Sequence, residues 1–509
     1  MSFLILDGES LNPSELWKYS KEHSGAAILP DIRISEQALK KIKRAEDFVA
    51  KIVRAGEPVY GINTGFGKFA EVSIPPEKLK ELQLNFVRSH SCGVGTPLSR
   101  AEVLSMWIIR LNVIARGHSG VRTETVSHIL NALSRGFLAE VPSRGSVGAS
   151  GDLAPSAHAT LALIGEGRCS LPVDGKIVEM AALDGLKKAG ISTINLGPKE
   201  ALSLVNGTQL SATLAIRALE EGKILLANSN LCLAMTTEGL QASHDFFSPT
   251  VLNAKNQPGT SACGQALAEI LEGPSEVRTG HENCGQVQDP YSLRCAPQVH
   301  GAVLDELNQV SEILKREINS STDNPLLFPE SEESISGGNF HAIYPARCSD
   351  RIASALTTLG SISERRTAQA MSKEGNKLFP FLVKEGGLNS GFMMAHVTSA
   401  ALVSECKTLS FPASVDSIPT SDDREDHVSM GPGAGFKACD IAGKIAVVLG
   451  IEMLCGAQAL DLLRPKKSTK KIEWAHAKIR TEIPMLEKDR NLSIDIEKAT
   501  RLISEGSLL

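Results

Sequence analysis

The spacing of apolar residues predicts a chain that is mainly helical, with its longest helices in the second half. Residues 300–319 carry apolar side chains at intervals of three and four, which places one apolar stripe along a helix. The same spacing predicts long helices over residues 350–371 and 438–463, the second of which ends before Pro465. Helices of this length with few strands between them are typical of an elongated bundle.

Shorter elements are predicted before this bundle. The apolar residues 3–6 predict a strand, and the glycine- and lysine-rich segment that ends near Gly197 predicts a hairpin. Helical spacing is present in the segments 34–55 and 75–90, and twice within 99–137. The N-terminal part of the chain is therefore of mixed structure.

The pattern changes at Pro198. A proline in a first turn opens a helix, and long amphipathic stretches follow it. We therefore divide the chain into a smaller N-terminal region, residues 1–200, and a long-helix region, residues 201–509.

The charge balance and the apolar stretches of the chain indicate its partners and its location. The chain has 53 basic and 58 acidic residues, a balance that argues against nucleic acid or an anionic membrane as partner. No basic segment followed by a long apolar one stands at its start, so no signal peptide is predicted. The apolar stretch 445–463 is interrupted by Glu452, Gln458 and Asp461, which argues against a membrane span. We expect a soluble, cytoplasmic protein.

The ten cysteines suit a reducing compartment. They are scattered, without any Cys-x-x-Cys pair, as free thiols in the cytosol usually are. One group, His281, Cys284, Cys295 and His300, invites comparison with a zinc site, but its spacing fits no tetrahedral zinc template. No metal is predicted.

One stretch, Gly145-Ser-Val-Gly-Ala-Ser-Gly-Asp-Leu-Ala-Pro155, is too rich in glycine to fill a core. Its small residues Ala149-Ser150-Gly151 allow the backbone to fold back, so that the Gly151 nitrogen can reach the Ala149 carbonyl carbon. Ring closure with loss of two waters would leave a methylidene-imidazolone, which is an electrophile. A phosphate-binding loop is the alternative, but Asp152 stands where a phosphate needs a cation.

Four non-periodic stretches interrupt the predicted helices, and each carries useful chemistry. They are the loop around Tyr60, the segment around Asn206, the segment Gln288–Cys295 with Tyr291 and Arg294, and the paired segments 336–341 and 423–429 with Phe340 and Glu425. A core tyrosine, a turn asparagine, a surface arginine and a solvated charge run are the ordinary interpretations. The glycines next to Tyr60, Gly61 and Gly65, and the proline and tyrosine beside Arg294, favour functional loops instead.

The segment Ala149-Ser-Gly-Asp-Leu-Ala-Pro155 resembles the signature of the aromatic amino acid ammonia-lyases, and similar stretches recur from about residue 57 to residue 432. The resemblance implies a mainly α fold of the aromatic ammonia-lyase and fumarase–aspartase type, in which the smaller N-terminal region carries active-site loops beside a central helical bundle. It also implies a homotetramer with shared active sites. The electrophile would form autocatalytically from Ala149, Ser150 and Gly151, without an external cofactor or a metal.

The resemblance further implies roles for single residues. Tyr60 would remove the β-proton and Tyr291 would lie close to the electrophile, while Arg294 would hold the substrate carboxylate. Asn206 would help to hold the electrophile or the amine, and Asp152 would support ring formation. Gln288, and Phe340 of a neighbouring subunit, would line the site. The base stays open among Tyr60, Tyr291 and Glu425, and a tyrosine base near neutral pH requires a lowered pKa.

Two residues predict the substrate. His90 stands where histidine-specific members carry a histidine, and Glu425 matches their acidic residue, although Arg424 and the pair Asp422-Asp423 depart from the usual pattern. A histidine and a carboxylate suit an imidazole, whereas a phenyl ring would leave both groups unpaired at a cost of roughly 1–3 kcal/mol each. We expect L-histidine as substrate, with ammonia and trans-urocanate as products.

Other functions remain open at this point. His90 could also accept a hydrogen bond from a phenol, so a tyrosine ammonia-lyase or an aromatic aminomutase is an alternative. An inactive homologue that serves assembly or binding is another, although a scaffold needs neither the Ala-Ser-Gly segment nor Tyr60 and Arg294.

Overall fold

The computed structural model describes residues 3–26, 31–278, 287–372 and 378–509, and it is mainly helical, as predicted. Its helices are α1 (Pro13–His23), α2 (Glu36–Ala55), α3 (Leu79–His90), α4 (Arg100–Ala115), α5 (Thr123–Ser134), α6 (Leu153–Leu163), α7 (Ala182–Ala189), α8 (Glu200–Val205), α9 (Gln209–Gly239), α10 (Pro249–Ala254), α11 (Pro258–Ile270), α12 (Tyr291–Arg294), α13 (Ala296–Glu317), α14 (Ile343–Met371), α15 (Met393–Leu409), α16 (Gly431–Leu462), α17 (Lys470–Glu482) and α18 (Leu492–Glu505).

Short strands accompany these helices. They are β1 (Leu4–Leu6), β2 (Ile32–Ile34), β3 (Val94–Pro97), β4 (Leu138–Ala139), β5 (Pro142–Arg144), β6 (Arg168–Val173), β7 (Lys176–Ala181), β8 (Leu326–Phe328) and β9 (Glu333–Ile335). The strands β1 and β2 pair in parallel, β3 pairs with β5, β6 pairs with β4 on one side and β7 on the other, and β8 pairs with β9. The predicted strand near the N-terminus and the predicted hairpin before Gly197 are thus confirmed as β1 and as β6–β7.

The predicted helices are confirmed, with one correction at Pro198. The helix that follows starts at Glu200, so Pro198 precedes it instead of occupying its first turn. Lys199 lies between them in the left-handed region at φ 67°. Its buried ammonium group donates to Ser119 O at 2.9 Å and pairs with the buried Asp323 at 3.1 Å. These contacts hold Lys199 outside the helix.

The chain divides into two compact units by its internal contacts. Unit 1 comprises residues 1–217, 311–349 and 412–436, and unit 2 comprises residues 218–310, 350–411 and 437–509. The predicted boundary near residue 200 stays a prediction.

In unit 1, α4 is apolar and buried on nearly all of its faces. A second apolar cluster is built by Phe48, Val49, Ile62 and Leu327, all of them buried. Because Ile62 is fully buried two residues after Tyr60, this cluster anchors the loop that carries the tyrosine.

In unit 2, a buried ion pair lies among long helices. The guanidinium of Arg366 contacts both carboxylate oxygens of Glu452, and both side chains are fully buried. Ser363 and Thr236 also donate to this carboxylate, at 2.6 and 3.1 Å. The Glu452 carboxylate therefore has three hydrogen-bonding partners, which offset the cost of burying its charge.

Helix α16 has the length and composition of a membrane span, but 83% of its most apolar window is buried within the protein. Glu452, which interrupts its apolar sequence, is the partner of Arg366. Both observations fit a core helix.

Candidate active site

The segment Ala149-Ser150-Gly151 lies between β5 and α6 and packs on the turn between α8 and α9. Gly151 has φ 75°, and a Cβ atom added to it would lie 2.1 Å from Gly207 O. The next amide, that of Asp152, donates to the same carbonyl at 2.7 Å. Only glycine fits at position 151, because any side chain would push the two backbones apart.

Asn206 lies at that turn, where it ends α8. Its side chain is buried, and Nδ2 donates to Ser150 O at 2.6 Å. If the Gly151 nitrogen closed onto the Ala149 carbonyl carbon, the Ser150 carbonyl would remain in the ring. Oδ1 of Asn206 is buried and has no hydrogen-bond partner among the described residues. The residues present therefore fit the group that the Ala-Ser-Gly segment can form.

Glu425 approaches the same segment from a loop before α16. The Ser150 hydroxyl donates to its Oε1, and the hydroxyls of Thr420 and Ser421 donate to its Oε2 at 2.6 and 2.9 Å. Burial alone would raise the pKa of Glu425, but these hydrogen bonds and the nearby His90 bring it below its ordinary value. Glu425 is therefore ionised at neutral pH.

The loop that carries Glu425 is fixed to the glycine-rich stretch by further contacts. Ser429 Oγ donates to Gly148 O and the Met430 amide donates to Val147 O, both at 2.8 Å. Arg424, which departs from the usual pattern, is exposed.

His90 is the last residue of α3, and its ring orientation is fixed by that helix. Its Nδ1 lies 2.8 Å from Phe86 O, and its ring stacks on Phe86 at a centroid distance of 4.0 Å. A carbonyl oxygen only accepts, so Nδ1 carries the proton and Nε2 is left as an acceptor. Burial lowers the pKa of His90, and Glu425 partly opposes this shift. The ring is neutral at pH 7.

Tyr60 lies half-buried in the glycine-rich loop and interacts electrostatically with Glu425. A tyrosine base near neutral pH requires a lowered pKa, and in the chain alone the shift is in the opposite direction. Burial raises the pKa of Tyr60, the backbone amide of Gly67 lowers it in part, and the charge of Glu425 raises it further. In the chain alone the phenol is therefore protonated at neutral pH.

Asp152 directly precedes α6, and its fully buried side chain contacts the start of α9. Its carboxylate accepts from the Ser211 amide at 2.7 Å and from the Ser211 hydroxyl at 2.8 Å. Burial raises its pKa to about 6, although these hydrogen bonds oppose the shift. Asp152 therefore fixes the glycine-rich stretch to the N-terminus of α9, where the helix dipole favours an acidic group.

A second buried carboxyl lies nearby. Glu317, at the end of α13, accepts from Thr208 Oγ1 at 2.6 Å. Burial raises its pKa to about 7, and the charge of Asp152 adds to this shift.

Phe340 lies half-buried in the turn before α14. This turn is also attached to the glycine-rich stretch, because the Ala342 amide donates to Gly148 O at 3.3 Å.

Unit 2 holds the other predicted site residues. Tyr291 begins α12 and is 70% exposed, and the Arg294 guanidinium carbon lies 4.5 Å from the centre of its ring. Arg294 Nε donates to Asp289 O at 3.0 Å, and Gln288 is exposed. The sequence segment thus forms a structured turn that displays an aromatic ring and a cation.

Among the described residues, no group of three or more His, Cys, Asp or Glu side chains could hold a metal ion. His281 and Cys284 of the group tested above lie outside the described residues. His300 is buried and contacts Asn230 Oδ1 at 2.7 Å, so it belongs to the core of unit 2. The absence of a metal stays a prediction.

Unit 1 therefore brings together most of the predicted site. Direct hydrogen bonds join Ser150 to Glu425 and to Asn206, and electrostatic interactions join Glu425 to His90 and Tyr60. Five residues that hold these site residues in place were not predicted from the sequence. They are Thr420, Ser421, Ser211, Arg110 and Glu317. Of these, only Arg110 carries a sequence signal, since it is an arginine within the apolar run of residues 106–115.

The chain belongs to the aromatic amino acid lyase family, whose pattern it matches over residues 20–481. It is similar to the histidine ammonia-lyase of Anaeromyxobacter dehalogenans, with 46% identity over 100% of both chains. A solved structure of histidine ammonia-lyase from Trypanosoma cruzi superposes with a TM-score of 0.91 and 39% identity, over 100% of this chain and 94% of that one. The tyrosine aminomutase of Streptomyces globisporus superposes with a TM-score of 0.92 and 30% identity, over 100% and 98% of the two chains.

The raised pKa of Glu317 predicts a pH-dependent gain in stability for Glu317→Gln. Between the ordinary pKa of 4.5 and the folded value of about 7, the folded state binds a proton that the unfolded state has released. The wild-type free energy of unfolding therefore falls as the pH rises through this range. Glutamine keeps the acceptor for Thr208 without ionising, so we expect a stability gain of about 2–3 kcal/mol at pH 8 and little gain at pH 4.5.

Urea unfolding across this pH range measures the effect. The control is Glu312→Gln, which removes an exposed glutamate from the same helix. A gain for Glu317→Gln that is equal at both ends of the range would contradict the assignment of a buried, protonated carboxyl.

Proposed function

We propose that this protein is a histidine ammonia-lyase, which eliminates ammonia from L-histidine without oxidation and yields trans-urocanate, the first step of histidine degradation. The observation that carries this proposal is the contact of Ser150 with Glu425, whose charge acts on both His90 and Tyr60. It puts two groups suited to an imidazole beside the segment that can form the electrophile. A cytoplasmic location is part of the proposal.

Imidazole recognition follows from the protonation of the two groups. His90 presents Nε2 as an acceptor, and Glu425 is ionised, so both sites accept hydrogen bonds. An imidazolium ring has two N–H donors, one for each acceptor, whereas a phenol has one donor and a phenyl ring has none. The unpaired acceptors would cost roughly 1–3 kcal/mol each, which supports histidine over phenylalanine and, less strongly, over tyrosine.

Ala149, Ser150 and Gly151 would form the methylidene-imidazolone without an external cofactor. When formed, this group supplies an electrophilic carbon that makes the amino group a better leaving group. Asn206 would hold its carbonyl oxygen through the contact seen at Ser150 O. Asp152 would support ring formation by fixing the segment to α9.

We assign the removal of the β-proton to Tyr60. In the chain alone burial raises the pKa of Tyr60, and the charge of Glu425 raises it further. A bound imidazolium would compensate that charge, and the Gly67 amide would then stabilise the phenolate. Binding of the correct ring would thus prepare the base, while Arg294 would hold the carboxylate and Gln288, Tyr291 and Phe340 would line the site.

We also propose a homotetramer in which each active site combines residues of different subunits. The exposure of Tyr291, at 70%, supports this proposal, because an aromatic ring stacked on a cation and left open to solvent suits a contact with another chain.

The substitution Ser150→Ala tests the electrophile. We expect the loss of nearly all histidine turnover and a chain mass without the loss of two waters that is expected of the wild type, because the hydroxyl that leaves as water is gone. Urocanate absorbance and intact-chain mass measure the two effects. Ser143→Ala, a serine of β5 in the same region, is the control and should change neither. A Ser150→Ala enzyme with near-normal turnover would rule out the proposed chemistry.

Mixed tetramers test the shared sites. Ser150→Ala and Arg294→Met should each be inactive, but tetramers assembled from equal amounts of both chains should recover about a quarter of the wild-type activity, since random assortment pairs intact residues in that share of the sites. Co-expression with two affinity tags, followed by purification on both, yields the mixed species. Mixed tetramers that stay inactive would show that both residues must come from one chain.

A further inference from the structure

One buried arginine contacts the turn on which the Ala-Ser-Gly segment packs. Arg110, on α4, is 1% exposed, and its Nη1 donates to Asn206 O. The fit is close, because a Cβ atom added to Gly207 would lie 2.6 Å from the same nitrogen. The guanidinium therefore fixes the peptide unit that joins Asn206 to Gly207.

The two residues that this peptide unit joins make three contacts with the Ala-Ser-Gly segment and with Asp152, which follows it. Asn206 Nδ2 donates to Ser150 O at 2.6 Å, Gly207 O accepts from the Asp152 amide at 2.7 Å, and Gly151 packs directly on Gly207. A shift of the turn would thus move the Ser150 carbonyl and release the backbone of Gly151 together.

The stability of the fold does not by itself explain why an arginine is buried at position 110. Burial lowers its pKa, and the acidic group that opposes this shift, Asp323, is already paired with Lys199. Among the described residues, Arg110 Nε and Nη2 have no hydrogen-bond partner. The equally buried Arg366, by contrast, contacts both oxygens of Glu452. A buried charge without its own counter-ion is unfavourable for folding, so the contact with Asn206 O is the feature that accounts for an arginine here.

We propose that Arg110 is a positioning residue for closure of the methylidene-imidazolone ring, an inference that rests on the proposed function. In this closure a bond forms between the Gly151 nitrogen and the Ala149 carbonyl carbon. The first water takes the Ala149 carbonyl oxygen and the two amide hydrogens of Ser150 and Gly151. The second takes the Ser150 hydroxyl and the hydrogen of its Cα. Arg110 exchanges no atom and acts by holding the turn against the reacting backbone.

The variants Arg110→Met and Arg110→Lys test this role in the full chain. The first removes the charge and the donors, and the second keeps a charge but loses the planar fork. We expect ring closure in Arg110→Met to slow by about 100-fold, because a misplacement of about 1 Å between reacting groups has that effect. Most freshly purified chains should then keep both waters in their intact mass, with helical content unchanged by circular dichroism. Arg110→Lys should close at an intermediate rate.

The matched control is Arg100→Met, on the same helix. Arg100 also donates to backbone carbonyls, those of Ser24 at 2.6 Å and Gly136 at 2.8 Å, and neither belongs to the turn. Its variant should close the ring completely. In Arg110→Lys, the chains that have closed the ring should show wild-type kcat and KM per ring, because Arg110 touches no substrate.

The outcomes separate this inference from the function on which it rests. Folded Arg110→Met and Arg110→Lys chains that lose two waters as fast as the wild type would overturn the inference alone. Where Arg110→Met gives no folded chain, the closure rate of Arg110→Lys decides. A wild-type chain that keeps both waters would overturn the proposed function and this inference together.

Discussion

The packing of Gly151 on Gly207 is the constraint on which the rest of the site depends. It requires a left-handed glycine, leaves no room for a side chain, and brings the Ser150 carbonyl within 2.6 Å of Asn206. Buried side chains then fix the two backbone segments by hydrogen bonds. Asp152 accepts from the start of α9, and Arg110 donates to the end of α8. A helical protein with few strands suits this arrangement, because helix ends supply rigid backbone groups at a defined place.

The second organising feature is the charge of Glu425. The Thr420 and Ser421 hydroxyls hold one of its oxygens, while the other accepts from Ser150. This charge raises the pKa of Tyr60 and opposes the lowering of the pKa of His90. Substrate recognition and preparation of the base are therefore linked in the proposed reaction, since a cationic ring that pairs with Glu425 also offsets a charge that adds to the effect of burial on the pKa of Tyr60.

Local sequence patterns predicted much of the fold and of the candidate site. The glycine-rich stretch, the asparagine that breaks a helix, and the helical periods of α13, α14 and α16 are all visible within a few residues of sequence. The contacts that could not be predicted join residues that are far apart in the sequence. Ser150 and Glu425 are 275 residues apart, and Thr208 and Glu317 are 109 apart. The direction of the shift in the pKa of Tyr60 could not be predicted for the same reason, because burial and the charge of Glu425 are properties of the folded chain.

In the proposed reaction, two hydrogen-bond acceptors beside the electrophile select an imidazole. Steady-state turnover of L-histidine, L-tyrosine and L-phenylalanine by the wild-type protein tests it most directly. We expect kcat/KM for histidine to exceed that for phenylalanine by about 100-fold or more, because phenylalanine leaves both acceptors unpaired. Turnover of tyrosine without turnover of histidine would contradict it.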